Sequence, residues 1–228
     1  MITQIFYAIL SGLLPALLWL WFWLREDNLH PEPRERVMKT FIAGICVVLF
    51  VLPVQMFFSS TIDHESSKYL VWAFSEEFFK FLAAWIVAIS TDVMDEPIDA
   101  VIYMITVALG FAAVENTLFV LKPIFEGDLI RSIVTTNLRF IGATLLHVVS
   151  SASVGLCIAM AFYHNRETRR IALVSGLILA TALHTAFNLF IIKTSTDETL
   201  RIFSAVWIAV VILLFLFEKV KTITPNHV

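Results

Sequence analysis

The sequence predicts an all-α fold, a polytopic bundle of about seven transmembrane helices forming one domain over residues 1–228. Three observations predict it. Hydrophobic residues make up 59% of the chain and charged residues 15%, with a mean hydropathy of +0.84; a soluble domain carries about 45–50% apolar and about 25% charged residues. The apolar residues fall into runs long enough to cross the hydrocarbon core, which takes about 20 residues in a helix. The connections between these runs are too short to hold a second folded domain.

The first predicted helix runs from Ile2 to Leu24. It has no basic leader, no small-residue cleavage site and a longer apolar run than a signal peptide, so it reads as a retained helix. A polar connection follows from Arg25 to Arg36, where Pro31 and Pro33 prevent a helix from continuing. The second helix is predicted from Met38 to Ser59 and the third from Tyr69 to Ser90. The fourth runs from Ile98 to Leu121, with Asp95 and Asp99 as charges favoured at its N-terminus. The fifth is expected from Leu138 to Tyr163, the sixth from Ile171 to Ile192 and the seventh from Leu200 to Phe217. Cys46 and Cys157 both lie inside apolar runs and read as reduced packing residues. No basic run points to nucleic acid; the partner that the composition implies is the lipid bilayer.

Orientation follows from Lys and Arg in the connections. With the N-terminus outside, the cytoplasmic side holds Arg25, Arg34, Arg36, Lys39, Arg166, Arg169, Arg170, Lys219 and Lys221. The outer side holds Lys68, Lys122, Arg131, Arg139, Lys193 and Arg201. The bias of nine to six favours a multi-pass protein of the cell membrane with its N-terminus outside and its C-terminus in the cytoplasm.

Six ionisable side chains interrupt the apolar runs: Glu76, Glu77, Lys80, Glu115, His147 and His184. A charge near the bilayer centre costs about 2.5–3.5 kcal/mol on insertion scales. In the predicted topology all six lie about 10–15 Å below the outer face, at a rise of about 1.5 Å per residue. A polar layer assembled from four helices at one depth is an arrangement suited to chemistry or ion movement. Glu76 and Lys80 are spaced i, i+4 and share a helix face, while Glu77 and Lys80 are spaced i, i+3. Two carboxylates beside one ammonium suit a general base that takes a proton from water; the competing reading is a buried ion pair that only fixes packing. Glu115 stands among the small residues of Gly110-Phe111-Ala112-Ala113, which permit close helix approach. It can bind a metal, orient a histidine, pair with Lys80 or simply hydrogen-bond across helices. His147 and His184 each have a polar residue one turn on, Ser151 and Asn188. His184 and Asn188 can aim two donors at one point, as an oxyanion site requires; a packing role is the alternative for each histidine. There is no His-Glu-x-x-His, Gly-x-Gly-Asp or Gly-x-Ser-Gly motif, no Walker loop and no Rossmann fingerprint.

The ordered set Glu76-Glu77-x-x-Lys80, Phe111-x-x-x-Glu115, His147 and His184-x-x-x-Asn188 resembles the PrsW family of intramembrane proteases. The Pro31-Glu32-Pro33 connection is also similar to that family's. The resemblance covers nearly the whole chain. It implies cleavage of a single-pass membrane protein such as an anti-sigma factor, at the first step of a stress response. The family is in turn similar to the CAAX prenyl proteases, whose pattern is Glu-Glu-x-x-x-Arg, Phe-x-x-x-His and His-x-x-x-Asn. Here Lys80 stands one residue earlier than that Arg, and Glu115 stands where the His would be. Carried over by position, Glu76 is the base on water, Glu77 shares its proton, and His184 with Asn188 stabilises the oxyanion; His147 is a second orienting or proton-carrying group.

The expected activity is therefore that of a glutamate-dependent intramembrane endopeptidase without a cofactor, with Lys80 supplying the cation. One alternative is a zinc protease in which Glu115, His147 and His184 hold the ion and Glu76 is the base. A second, from another class, is a proton-coupled secondary transporter, since intramembrane Glu, Lys and His also mark ion paths.

Overall fold

In the computed structural model, residues 2–27, 31–193 and 196–225 are described, with side chains for all of these except 192–200. Among them there are helices and no strands. The helices are α1 (Ile2–Glu26), α2 (Arg34–Thr61), α3 (Glu65–Ala84), α4 (Pro97–Phe125), α5 (Leu129–Leu138), α6 (Thr144–Met160), α7 (Arg166–Lys193) and α8 (Thr196–Val220). Residues 28–30 of the first polar connection and residues 194–195 between the last two expected helices lie outside the described residues.

Two π-helical turns join or extend these elements. Trp85–Ile89 continues α3, and Arg139–Ala143 joins α5 to α6. The fifth expected helix therefore starts earlier than its apolar run suggests, and Leu129–Met160 forms one rod. Its first turns look polar in sequence, but their side chains bond back to their own helix. Ser132 Oγ donates to Asp128 O at 2.7 Å, Thr136 Oγ1 to Ser132 O at 2.9 Å and Asn137 Nδ2 to Ile133 O at 2.8 Å.

Six rods are long and apolar enough to cross a membrane by length and composition: α1, α2, α4, the Leu129–Met160 rod, α7 and α8. The remaining rod, α3 with its π turn, carries Glu76, Glu77 and Lys80 along its middle. Its buried face is Ala73, Ser75, Glu76, Glu77, Lys80, Phe81 and Ala84, whereas Phe74, Phe78, Leu82 and Ile86 are exposed. This is the reverse of a soluble amphipathic helix: charge faces inward and apolar side chains face outward, as lipid as solvent demands.

At the centre stands α4, buried almost all round, packed against α6, α1 and α2. Close approach of α2 and α4 depends on two glycines. A Cβ on Gly44 would sit 2.1 Å from Val107 O, and one on Gly110 would sit 2.0 Å from Phe41 O. The expected small-residue contact around Gly110 is thus with α2. The other end of α4 begins with a capping box. Asp99 Oδ2 accepts from Glu96 N at 2.7 Å and from Asp95 N at 2.9 Å, and Tyr103 OH donates to Glu32 of the Pro31-Glu32-Pro33 connection. Burial raises the Glu32 carboxyl above its ordinary range.

Candidate active site

All six intramembrane ionisable groups meet in one cluster between α3, α4, α6 and α7. Lys80, Glu77, Glu76, His147 and His184 are buried, and Glu115 is half-buried. Five helical residues of α3 supply three of them, because Glu76, Glu77 and Lys80 share the face turned to α7 and α4.

Glu77 is the most heavily bonded group. Its Oε1 accepts from Lys80 Nζ at 2.7 Å and meets His184 Nδ1 at 2.9 Å, and its Oε2 accepts from Ser151 Oγ at 2.7 Å. Glu76 has a different setting. Gln55 Nε2 of α2 donates to its Oε1 at 2.8 Å, but its Oε2 is buried and has no hydrogen-bond partner among the described residues. That oxygen lies 3.5 Å from His184 Nε2 and 4.0 Å from His147 Nδ1.

The two imidazoles pack edge to face with ring centroids 5.0 Å apart. His147 Nδ1 is 3.1 Å from Lys80 Nζ and its Nε2 is 2.9 Å from Glu115 Oε2. An ammonium only donates, so Nδ1 of His147 accepts and the ring proton sits on Nε2, facing Glu115. Phe111 closes the floor: its ring packs against His147 at 5.4 Å and lies under Lys80 Nζ at 4.7 Å.

The sequence-predicted residues divide as follows. Glu76, Glu77, Lys80, Glu115, His147 and His184 come together. Asn188 lies one turn beyond His184 on α7 and is half-buried; among the described residues no hydrogen bond joins it to the cluster. Three participants escaped the sequence reading. Gln55 is an isolated amide in a second-helix run. Ser151, the polar residue one turn after His147, bonds Glu77. Arg139, an outer-side charge by sequence position, pairs with Glu115 from within the π turn that joins α5 to α6.

The residues able to hold a metal ion also regroup. Glu76, His147 and His184 each offer a ligand atom within 4.8 Å of the others. Glu115, expected in that trio, lies instead behind His147 on its Nε2. The spacing of residues along a helix does not say which ring nitrogen faces which carboxylate.

The sequence model of a family described as "PrsW family intramembrane metalloprotease" matches residues 32–217. The chain is similar to Protease PrsW of Shouchella clausii (strain KSM-K16), 27% identical over 183 residues that cover 79% of this chain and 81% of the relative. It is similar to Protease PrsW of Geobacillus kaustophilus (strain HTA426), 25% identical over 80% of this chain and 79% of the relative. It also matches Protease PrsW of Bacillus subtilis (strain 168), 24% identical over 83% of this chain and 85% of the relative. No solved structure matches.

Proposed function

The chain belongs to the PrsW family of intramembrane proteases, and from that premise we propose that it hydrolyses a peptide bond of a single-pass membrane protein with Glu76 as the base on water. The observation that carries this reading is the buried Oε2 of Glu76, without a hydrogen-bond partner and turned toward two imidazoles. Its sister oxygen is held by Gln55, which aims the carboxylate. A water beside Oε2 gives its proton to that oxygen as it attacks the scissile carbonyl carbon. The same carboxyl then returns the proton to the leaving amine as the C–N bond breaks. His184, met by a carboxylate at each ring nitrogen, is placed to carry both ring protons and to offer Nε2–H to the developing oxyanion. Asn188 is its proposed partner in that task. Glu77, bonded by Lys80, His184 and Ser151, acts as an anchor. Substrates are membrane-anchored proteins, with an anti-sigma factor as the case the family resemblance implies. The loop charges support an outer location for the site in the cell membrane; moving Arg139 from loop to site leaves that bias at nine to five.

A second reading has a specific observation in its favour. The family's description implies a metal, and the residues present fit one: a buried carboxylate oxygen without a partner, and two imidazoles backed by Glu115 and Glu77 on their other nitrogens. Glu76, His147 and His184 would hold the ion. A bound Zn²⁺ would polarise the scissile carbonyl and lower the pKa of its bound water to about 7. Against it, Lys80 already places a cation on His147 Nδ1. The deciding experiment is cleavage of candidate single-pass proteins by the purified chain in lipid, with and without a strong chelator, alongside elemental analysis. Full turnover after chelation and no stoichiometric zinc support Glu76 as the base. Loss of turnover that zinc restores supports the metal reading. No cleavage of any membrane protein overturns both.

A further inference from the structure

Arg139 occupies a place that its position in the sequence does not suggest. Its side chain is 14% exposed, in the π turn Arg139–Ala143 inside the Leu129–Met160 rod. Such turns insert an extra residue into the helical ladder and gather at functional sites. The guanidinium is fixed on three sides. Its Nη2 donates to Glu115 Oε2, its Nε donates to Asn116 Oδ1 at 2.6 Å, and its plane lies over the Phe119 ring at 3.9 Å. Asn116 is held in turn, donating through Nδ2 to Thr144 Oγ1 at 2.8 Å. The oxygen of Glu115 that Arg139 holds is the same one that meets His147 Nε2.

We propose that Arg139 is a positioning residue of this protease, setting the tautomer of His147 through Glu115; the proposal rests on reading the cluster as the proteolytic centre. Glu115 is the most exposed member of the cluster, at 22% of its side chain. Released from Arg139, its carboxylate loses the contact that fixes it, and Nε2–H loses its fixed acceptor. Of the two contacts that set the tautomer, only the Lys80 ammonium on Nδ1 then remains; the acceptor that held the proton on Nε2 is gone, so the preference for Nε2–H weakens. A lysine at this position keeps the charge but cannot hold Glu115 and Asn116 together, because the fork is lost.

The test uses the full chain in lipid nanodiscs, labelled with ¹⁵N in its histidines, with His147→Gln to assign the signal. Wild-type His147 should show a protonated Nε2 and a bare Nδ1. In Arg139→Gln the signal should become a mixture of tautomers. Its kcat should fall by about 10–100-fold, as loss of a residue that orients a site ligand typically does, with KM little changed. Arg139→Lys should recover part of both. Should Arg139→Gln not fold, Arg139→Lys carries the test on the same two readouts. Wild-type kcat in these variants overturns the proposal. So does a fall in kcat with His147 still wholly on Nε2–H, which would mark a structural role. If the wild-type chain cleaves nothing, the proteolytic reading fails, while the histidine signal still judges the link from Arg139 to His147.

Discussion

Glu77 is bonded by Lys80, His184 and Ser151, whereas Glu76 is bonded on one oxygen only, by Gln55. Neighbours in the chain thus have separable duties. Glu76→Gln keeps size and the Gln55 contact, so the melting temperature should stay near that of the wild type while hydrolysis falls by about 10²-fold or more. Glu77→Gln should do the opposite first. It strips the counter-charge from a buried ammonium, which costs about 3–5 kcal/mol of stability, read as a lowered thermal midpoint in lipid. Equal melting temperatures for the two variants would refute this division. Asn188 has a purely transition-state duty in the proposed reaction. Asn188→Ala should lower kcat by about 10²–10³ and leave KM nearly unchanged; a raised KM with unchanged kcat would leave Asn188 as a substrate-holding residue.

At the scale of the helix, α3 and α4 show how the site is kept in place. Along α3, Glu76, Glu77 and Lys80 lie on the buried face and Phe74, Phe78 and Leu82 on the outer one, which favours seating the polar face against the other helices. Because α4 is sheathed by other helices, it can hold Glu115 and Phe111 at fixed depth. That sheath depends on backbone contact between α2 and α4 at Gly44 and Gly110. Gly110→Ala should destabilise the bundle by about 1–3 kcal/mol, since a methyl group there overlaps Phe41 O and α2 must back away. Gly44→Ala should cost a similar amount. The double variant should cost less than the sum, because α2 needs to retreat only once. Thermal unfolding of the four proteins in one lipid checks this, and strict additivity would argue against a shared contact.

For the whole molecule, Glu76, Glu77, Lys80, Glu115, His147 and His184 gather in one cluster between four helices. In the proposed reaction water needs to reach that cluster from one face only. In a chain with Cys46 and Cys157 replaced by serine, Asn137→Cys, exposed near the Arg139 end, should react with an impermeant thiol reagent added on the face where the N-terminus lies. Ala88→Cys and Val101→Cys, both fully buried at the opposite ends of their helices, should stay unreactive from either face. Reactivity of all three, from both faces, would indicate a continuous aqueous route and a transport function. Reaction of Asn137→Cys only from the cytoplasmic face would reverse the proposed orientation.

Long apolar runs and rare intramembrane charges are properties of the chain itself. The helices, the membrane class and the residues Glu76, Glu77, Lys80, Glu115, His147 and His184 could therefore be read from it directly, because each such charge is costly in lipid unless something answers it. That the six groups can meet was legible too, since rise per residue is fixed by helix geometry, and they do come together in one cluster. Partners were not. Gln55 and Ser151 are ordinary polar residues in apolar runs, and nothing local separates them from others that bond only their own helix, such as Thr106 and Thr181. Arg139 stands at the outer end of the fifth expected run, where a charge reads as facing the membrane surface; the π turn turns it toward Glu115 instead. Which nitrogen of each histidine meets which carboxylate, and hence that Glu76 and not Glu115 lies near both rings, depends on how four helices are rotated against one another. Sequence spacing fixes a residue's height and face on its own helix; only packing against the neighbouring helices decides what that face meets.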